Sequence, residues 1–340
     1  MVNPPLPPHM ETRNRRAVRV SVVAPAFNEA ENLSRLYQEL TAALQDVGEL
    51  EIIIVENGSA DDSLNVLRNL RNNDSRLNFI SLSRNFGHQG GLLAGLEHAT
   101  GDVIITMDAD LQHPPAMLPP MLEQWEKGFD VVNTRKQPAE YSGFLRRFFD
   151  AVFYSALGKL SGIPLSERQS DFRLVDRRAL NALNCLPEKN KFIRGLSYWI
   201  GFKQTTIAYV PLLRNAGASK FSLRHLMKFA IDGVISFTII PLRLFSFIGA
   251  ILSIAALSYG VFVVVYKYFY ADYSLPPGWV SLAVGVYFIG GVMLIGIGVL
   301  GEYLGRLFDE VRGRPPYIVR ETTMQPRLHG ADRRPGTDHG

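Results

Sequence analysis

Cysteine is almost absent. The chain has 340 residues and one cysteine, Cys185, which excludes an internal disulfide and fits a domain kept in a reducing compartment. A surplus of charge is missing too, since 36 basic and 32 acidic side chains leave a net charge of only +4. No basic patch interleaved with aromatics occurs, so no nucleic-acid partner is expected. The first residues, MVNPPLPPHMETRNRR, contain prolines and then arginines but no apolar stretch. Neither a secretory signal nor an anchor is expected there, and residues 1–17 read as a disordered tail. No internal repeat is visible.

Charge is also absent along two stretches, Leu244 to Tyr266 and Val280 to Gly301, which hold no Asp, Glu, Lys or Arg. Each is long enough to cross a bilayer, which takes about 20 apolar residues. A pair of buried core helices is the other reading of such runs, but a soluble domain rarely needs two adjacent uncharged helices of this length. Residues 244–303 are therefore expected to form a two-helix transmembrane hairpin. Just before it, Ser222 to Thr238 places Leu223, Leu226, Met227, Ala230, Ile231 and Val234 on one helical face, with Arg224, His225 and Lys228 off it. That pattern suits an amphipathic helix in the membrane interface, within residues 216–243. Arg224, Lys228 and Arg243 flank the runs on one side and Arg306, Arg312, Arg314 and Arg320 on the other, which places both ends in the cytoplasm by the positive-inside rule. Residues 304–340 read as a cytoplasmic tail, polar and disordered after Arg320.

What is present in residues 18–215 is an alternation of short β-branched runs with helical periods, the mark of an α/β domain with a doubly wound, mostly parallel sheet. Strands are expected at Val18 to Ala24, Glu51 to Val55, Leu77 to Leu82, Asp102 to Met107 and Asp130 to Asn133. Helices are expected at Glu29 to Leu44, Asp62 to Leu70, Gln89 to Ala99 and Ala116 to Lys127, then from Gly143 to Leu160 and near Ala179 to Leu186. Between the last two, SERQSDFRLVDR reads as a polar turn. Ligands of such sheets bind beyond the carboxyl ends of the strands, so chemistry is sought just after each strand. Those positions hold Asn28 and Glu29, Glu56 and Asn57, Arg84 to Gln89, Asp108 to His113, and Arg135, all polar loops.

The sharpest of them is Asp108-Ala-Asp110-Leu-Gln112-His113-Pro114-Pro115, directly after the apolar strand VIITM. Two carboxylates two residues apart, followed by an amide, can hold Mg²⁺ or Mn²⁺ while leaving places for phosphate oxygens. Such a pair can equally be a solvated turn. Asn28 with Glu31 can be an N-cap and its partner. Gly87, Gly90 and Gly91 either allow tight helix-to-sheet packing or let a nucleotide approach beside Arg84 and His88. By residue type, Arg135, Arg146, Arg147, Arg173, Arg214 and Lys220 are candidates for an acceptor phosphate.

Together, Pro25-Ala26-Phe27-Asn28-Glu29, Val55-Glu56-Asn57-Gly58-Ser59, Arg84-Asn85-Phe86-Gly87-His88 and Asp108 to Pro115 resemble the inverting family 2 glycosyltransferases of GT-A fold. More narrowly they resemble dolichyl-phosphate mannose synthases and bacterial polyprenyl-phosphate (bactoprenol) glucosyltransferases, from about Val20 to Val319 and including Pro241-Leu242-Arg243 and Gly301-Glu302-Tyr303. The resemblance implies a metal-dependent enzyme that moves a sugar from a nucleotide sugar to a polyprenyl phosphate lipid. It places Asp108, Asp110 and Gln112 at the metal and diphosphate, and Pro25, Asn28, Glu29 and Glu56 near the nucleoside, with Arg84, His88 and Asp108 completing the donor side. It favours Arg135 and Arg147 for the acceptor phosphate and places Ser219-Lys220-Phe221 near it, while Arg173 is a candidate by residue type. Asp171 matches a proposed catalytic base, although a phosphate monoester is already largely a dianion at neutral pH and needs little proton removal. One departure is Glu56-Asn57, where the family often shows Asp-Asp-Gly-Ser. UDP-glucose is the donor implied by Glu188-Lys-Asn-Lys-Phe-Ile-Arg-Gly195, with UDP-N-acetylhexosamine, UDP-amino-arabinose and GDP-mannose as alternatives. A multi-pass protein of the bacterial inner membrane and a homo-oligomer, a tetramer, are further implications. The rival readings are another acceptor on the same fold and a non-catalytic membrane scaffold.

Overall fold

The computed structural model describes residues 13–137, 169–188, 191, 193–212, 240–269 and 278–324. The expected helix from Gly143 to Leu160 and the amphipathic segment Ser222 to Thr238 lie outside them, as do Arg146, Arg147, Arg214 and Lys220. The chain divides into two compact units, one made of residues 1–154, 163–219 and 315–340, the other of 155–162 and 220–314.

The first unit is built on strands β1 (Arg19–Ala26), β2 (Glu49–Glu56), β3 (Leu77–Leu82), β4 (Val103–Thr106), β5 (Val131–Lys136), β6 (Gln169–Asp176), β7 (Gln204–Tyr209) and β8 (Val319–Thr322). They form an eight-stranded sheet in the order β7-β5-β6-β4-β1-β2-β3-β8. β1 lies parallel to β2 and β4, β2 to β3, and β5 to β7, whereas β6 and β8 run against their neighbours. The sheet is thus α/β and mostly parallel as expected, with two antiparallel insertions. Helices α1 (Ala30–Ala43), α2 (Ser63–Asn73), α3 (Gly87–His98), α4 (Leu118–Glu126), α5 (Arg177–Asn184) and α6 (Ile193–Trp199) accompany it.

The strand period of two divides the apolar residues between two faces. Val20, Val22, Ile52 and Ile54 belong to a core that takes Leu33, Leu36 and Leu40 from α1 and Trp125 from α4. Val23 and Val55 alternate with them and lie against α3, where a Cβ placed on Gly95 would come 2.2 Å from Val23 Cγ1 and 3.1 Å from Val55 Cγ2. Gly95→Ala should therefore lower stability by about 1–3 kcal/mol through overpacking, read as a lower thermal midpoint of the full-length protein in detergent. An unchanged midpoint would show that α3 has room to move off the sheet. Gly91 is also packed, with its Cβ position 3.1 Å from Pro25 Cβ, while Gly87 has φ +78° and open space beside it. Helix packing accounts for Gly91, and backbone conformation for Gly87.

Three findings correct the sequence reading. The stretch read as a polar turn contains β6, seated between β4 and β5 in the middle of the sheet. Its alternation was masked because Asp171 and Arg173 are buried beside Phe172 and Leu174. β8 falls in the stretch read as tail and pairs with β3, with Ser83 N–H donating to Ile318 O at 2.9 Å. At the other end, part of the expected tail is anchored: Arg13 Nη1 donates to Phe129 O at 2.7 Å, and Arg15 Nη2 meets Glu126 Oε2 at 2.6 Å.

In the second unit, the two uncharged runs lie within helices α7 (Ile240–Phe269) and α8 (Trp279–Arg312), of 30 and 34 residues. At 1.5 Å per residue these span about 45 and 50 Å, more than the roughly 30 Å of a bilayer's hydrocarbon. Among the described residues, one stretch, Phe288–Arg312, is long and apolar enough to cross a membrane by length and composition, with mean hydropathy 1.7 and 0% of its apolar window buried. α8 stops where Gly313 adopts φ +74°, a conformation glycine takes at helix ends without a Cβ penalty.

Candidate active site

The parallel strands β1 to β4 all deliver their carboxyl ends to one edge, where the expected donor-side residues gather. Pro25 is the penultimate residue of β1 and is buried. Asn28 follows at φ +56°, its amide N–H 3.0 Å from Ser59 Oγ and its Oδ1 accepting from Ala60 N–H at 2.8 Å. It is therefore not the N-cap of α1. That position belongs to Glu29, and Asp61 accepts the N–H of Ala30 at 3.0 Å instead. Glu56 is buried, with one oxygen accepting from Ser59 N–H and the other from Ser81 Oγ at 2.6 Å. Asn57 joins this loop to the start of α3, accepting from Phe86 N–H at 3.0 Å and donating to Gly87 O at 2.9 Å. Glu56-Asn57 thus shapes this edge of the sheet from inside the fold. Arg84 is exposed, its guanidinium 4.2 Å above the Phe86 ring.

The β4 loop carries the carboxylate pair. Asp108 and Asp110 are half-buried, and Asp110 Oδ1 accepts from Gln112 N–H at 3.1 Å. Leu111 between them has φ +60°. The loop is held by His113, whose Nδ1 accepts from Asp108 N–H at 2.9 Å and whose Nε2 lies 2.7 Å from Ser170 Oγ. Its other end is held by Leu212 N–H, which donates to Gln112 O at 3.2 Å. Burial pushes the His113 pKa down to about 3, so the ring is neutral.

β6 brings the second part of the site. Because it runs antiparallel, its beginning rather than its end lies at the edge where β4 and β5 finish, and Asp171 sits there almost fully buried. Arg194 of α6 grips it with a two-point fork, Nε to Oδ1 at 2.8 Å and Nη2 to Oδ2 at 2.7 Å. His88 Nε2 lies 3.3 Å from Asp171 and 3.7 Å from Asp108, bridging the two carboxylates. Burial opposes ionisation of Asp171, but the hydrogen bonds and charges of Arg194 and His88, aided by Arg173, hold its pKa well below the carboxylate range. Burial likewise opposes charge on His88, yet the bond to Asp171 and the nearby carboxylates raise its pKa. Burial, with the charge of Asp171, raises the pKa of Asp108 against His88, Lys136 and Arg194.

Among the described acceptor-side candidates, Arg135 is exposed near the end of β5. Arg173 is a correction. Its guanidinium is buried, donating to Ser197 Oγ at 2.9 Å, Ile193 O at 3.3 Å and Ser170 O at 3.2 Å, so it fastens α6 to β6 and is not open to a lipid phosphate. Arg194, Ser170 and Lys136 were not among the expected site residues, and His113 stood in the Asp108 to Pro115 motif with no role assigned to it. Arg194 stood only in the segment quoted for its donor resemblance, and nothing local links it to a carboxylate 23 residues earlier.

No cluster of three or more His, Cys, Asp or Glu side chains suited to a metal occurs among the described residues. Asp108 and Asp110 nevertheless fit a divalent cation that completes its shell with substrate oxygens and water, the usual habit of Mg²⁺. Asp108 keeps 34% of its side chain exposed, so it stays open to solvent beyond the strand end.

An α/β sheet with paired carboxylates at its strand ends defines the class, and comparison defines the family. The sequence profile described as glycosyl transferase family 2 matches residues 21–183. An uncharacterized glycosyltransferase of Synechocystis sp. is 36% identical over 305 residues, covering 89% of this chain and 95% of that one. The SfII prophage-derived bactoprenol glucosyl transferase of Shigella flexneri is 36% identical over 307 residues, covering 90% and 98%. Among solved structures, the Pyrobaculum calidifontis mannosyltransferase in complex with GDP-Man and Mn²⁺ is similar at 18% identity and TM-score 0.46, covering 86% of this chain and 88% of that one. The chain belongs to glycosyl transferase family 2.

Proposed function

We propose that this enzyme transfers glucose from UDP-glucose to the phosphate of a polyprenyl phosphate lipid with inversion. The observation that supports this most is the near full-length match to a bactoprenol glucosyl transferase. A phosphate oxygen of the lipid attacks the anomeric carbon as the bond from that carbon to the nucleoside diphosphate breaks. Positioning and charge do most of the work, since no covalent enzyme intermediate is needed. A Mg²⁺ or Mn²⁺ ion held by Asp108 and Asp110, with Gln112 beside them, would neutralise the departing diphosphate. Pro25, Asn28, Glu29, Arg84 and His88 border the donor, with Glu56 acting through the loop it shapes. Arg135, Arg147 and Lys220 receive the lipid phosphate. Asp171, held ionised by Arg194, orients charged groups around the reacting centre. As a base it is weak, and the dianionic acceptor has little need of one.

The test is a panel of radiolabelled UDP-glucose, UDP-N-acetylhexosamine, UDP-amino-arabinose and GDP-mannose with one polyprenyl phosphate and purified full-length protein. UDP-glucose should give the labelled lipid. Lipid product from another donor alone would reassign the sugar. Product on a saccharide but not on lipid would reassign the acceptor, and no transfer with any donor would favour a scaffold.

The same reading places α7 and α8 across the bacterial inner membrane as a two-span hairpin, with residues 216–243 at the interface and residues 18–215 and both termini in the cytoplasm. A homo-oligomer, a tetramer, completes it. With Cys185 replaced by serine, a cysteine introduced at Ser274 should react with an impermeant thiol reagent on intact cells, and one at Ser222 should not. The reverse pattern would overturn this topology.

A further inference from the structure

We propose that His113 is a positioning residue that sets the geometry of the Asp108–Asp110 loop through its two ring nitrogens. The proposal rests on the site reading above. A backbone N–H can only donate, so Nδ1, 2.9 Å from the amide of Asp108, must accept. The ring proton is therefore on Nε2 and is donated to Ser170 Oγ at 2.7 Å. The ring itself cannot swing. Phe172 stacks on it at 4.9 Å and 14°, and Tyr209 meets it edge-on at 5.8 Å and 76°. Residues from β6 and β7 thus fix the ring, and the ring fixes the chain at the first carboxylate.

The loop needs that restraint. Leu111 has φ +60°, which a non-glycine residue keeps only where its surroundings enforce it. Two points do so, the His113 bond at Asp108 and the Leu212 bond at Gln112, on either side of Leu111. Released at Asp108, the loop would present its carboxylates in several arrangements, few of which suit one cation. Groups that orient metal ligands in this way typically contribute 10–100-fold in affinity.

The test uses full-length protein in detergent, Mn²⁺ titrated in the presence of UDP, and free Mn²⁺ read by electron paramagnetic resonance, so that no turnover is required. His113→Leu removes both ring nitrogens. His113→Asn keeps an acceptor, Oδ1, close to where Nδ1 was. His113→Leu should raise the Mn²⁺ Kd by roughly 10–100-fold, and Ser170→Ala should raise it by less. His113→Asn should retain most of the affinity. Wild-type affinity in His113→Leu, or equal weakening in His113→Leu and His113→Asn, would overturn the proposal, since the ring would then act only as bulk. If His113→Leu does not fold, Ser170→Ala decides, because loss of one hydroxyl leaves the packing in place, and wild-type affinity there counts against it. Asp108→Asn is the separate check on the site. Undiminished Mn²⁺ binding by that variant would overturn the site reading itself, and the proposal with it.

Discussion

Asp110→Asn is expected to lower sugar transfer by roughly 100-fold or more while leaving the protein folded, as the loss of one stabilising contact to a developing charge does elsewhere. The side chain lies in a loop beyond β4, half-buried, and its one described bond is to the N–H of Gln112 at 3.1 Å. The amide keeps an oxygen for that bond and nearly the same volume, so packing should survive. What disappears is half of the negative charge available for a cation facing the diphosphate. Wild-type transfer should likewise vanish with a chelator and return with Mg²⁺ or Mn²⁺. Near-normal product from purified Asp110→Asn at saturating donor would show that the pair is structural.

Asp171→Asn should be nearly as damaging, for a different reason. Its carboxylate answers Arg194, His88 and the buried Arg173 together, and the neutral amide withdraws that shared negative charge, with Asp108 remaining beside His88 at 3.7 Å. Removing one partner of a buried pair typically lowers stability by about 3–5 kcal/mol, with the lower end fitting here because Arg194 remains 28% exposed. The sign of the pH dependence follows from the depressed pKa. Stability from the wild-type carboxylate is present above the unfolded value of about 4 and is lost as pH falls towards the lower folded value. The gap between wild-type and Asp171→Asn thermal midpoints should thus be widest near neutral pH and close in acid. Turnover should fall roughly 100-fold, with no recovery at higher pH, because no proton acceptor has been lost. Recovery with rising pH would restore Asp171 as the base, and unchanged turnover would remove it from the mechanism.

Much of the scaffold was legible. β3 was expected at Leu77 to Leu82 and occupies those residues, and α1 was expected one residue longer at each end than Ala30–Ala43. These elements have single-period apolar patterns that local reading can detect. β6 does not, because its Asp171 and Arg173 look like surface residues until Arg194 and Ser197 cover them. β7, with Gln204, Thr205 and Thr206 at its start, has little apolar signal of its own. β8 has only four residues and depends on β3 for its hydrogen bonds.

The Asp108–Asp110 loop could be found in advance because its residues are neighbours in the chain, at the end of a strand whose apolar run is plain. The amino-acid sequence alone likewise determined the α/β alternation, the polar strand ends and the two uncharged runs that lie within α7 and α8, all of which follow from local pattern and composition. Tertiary structure decided what stands around that loop. Inserting β6 antiparallel carried Asp171 to the edge where the parallel strands end, and folding α6 over it set Arg194 against that carboxylate. The same packing turned Arg173 from a candidate phosphate ligand into a buried fastener and brought Ser170 to His113, 57 residues away. Local periodicity reports which face a residue occupies, but not which distant charge or hydroxyl will meet it there, because that depends on strand order and direction across the whole sheet.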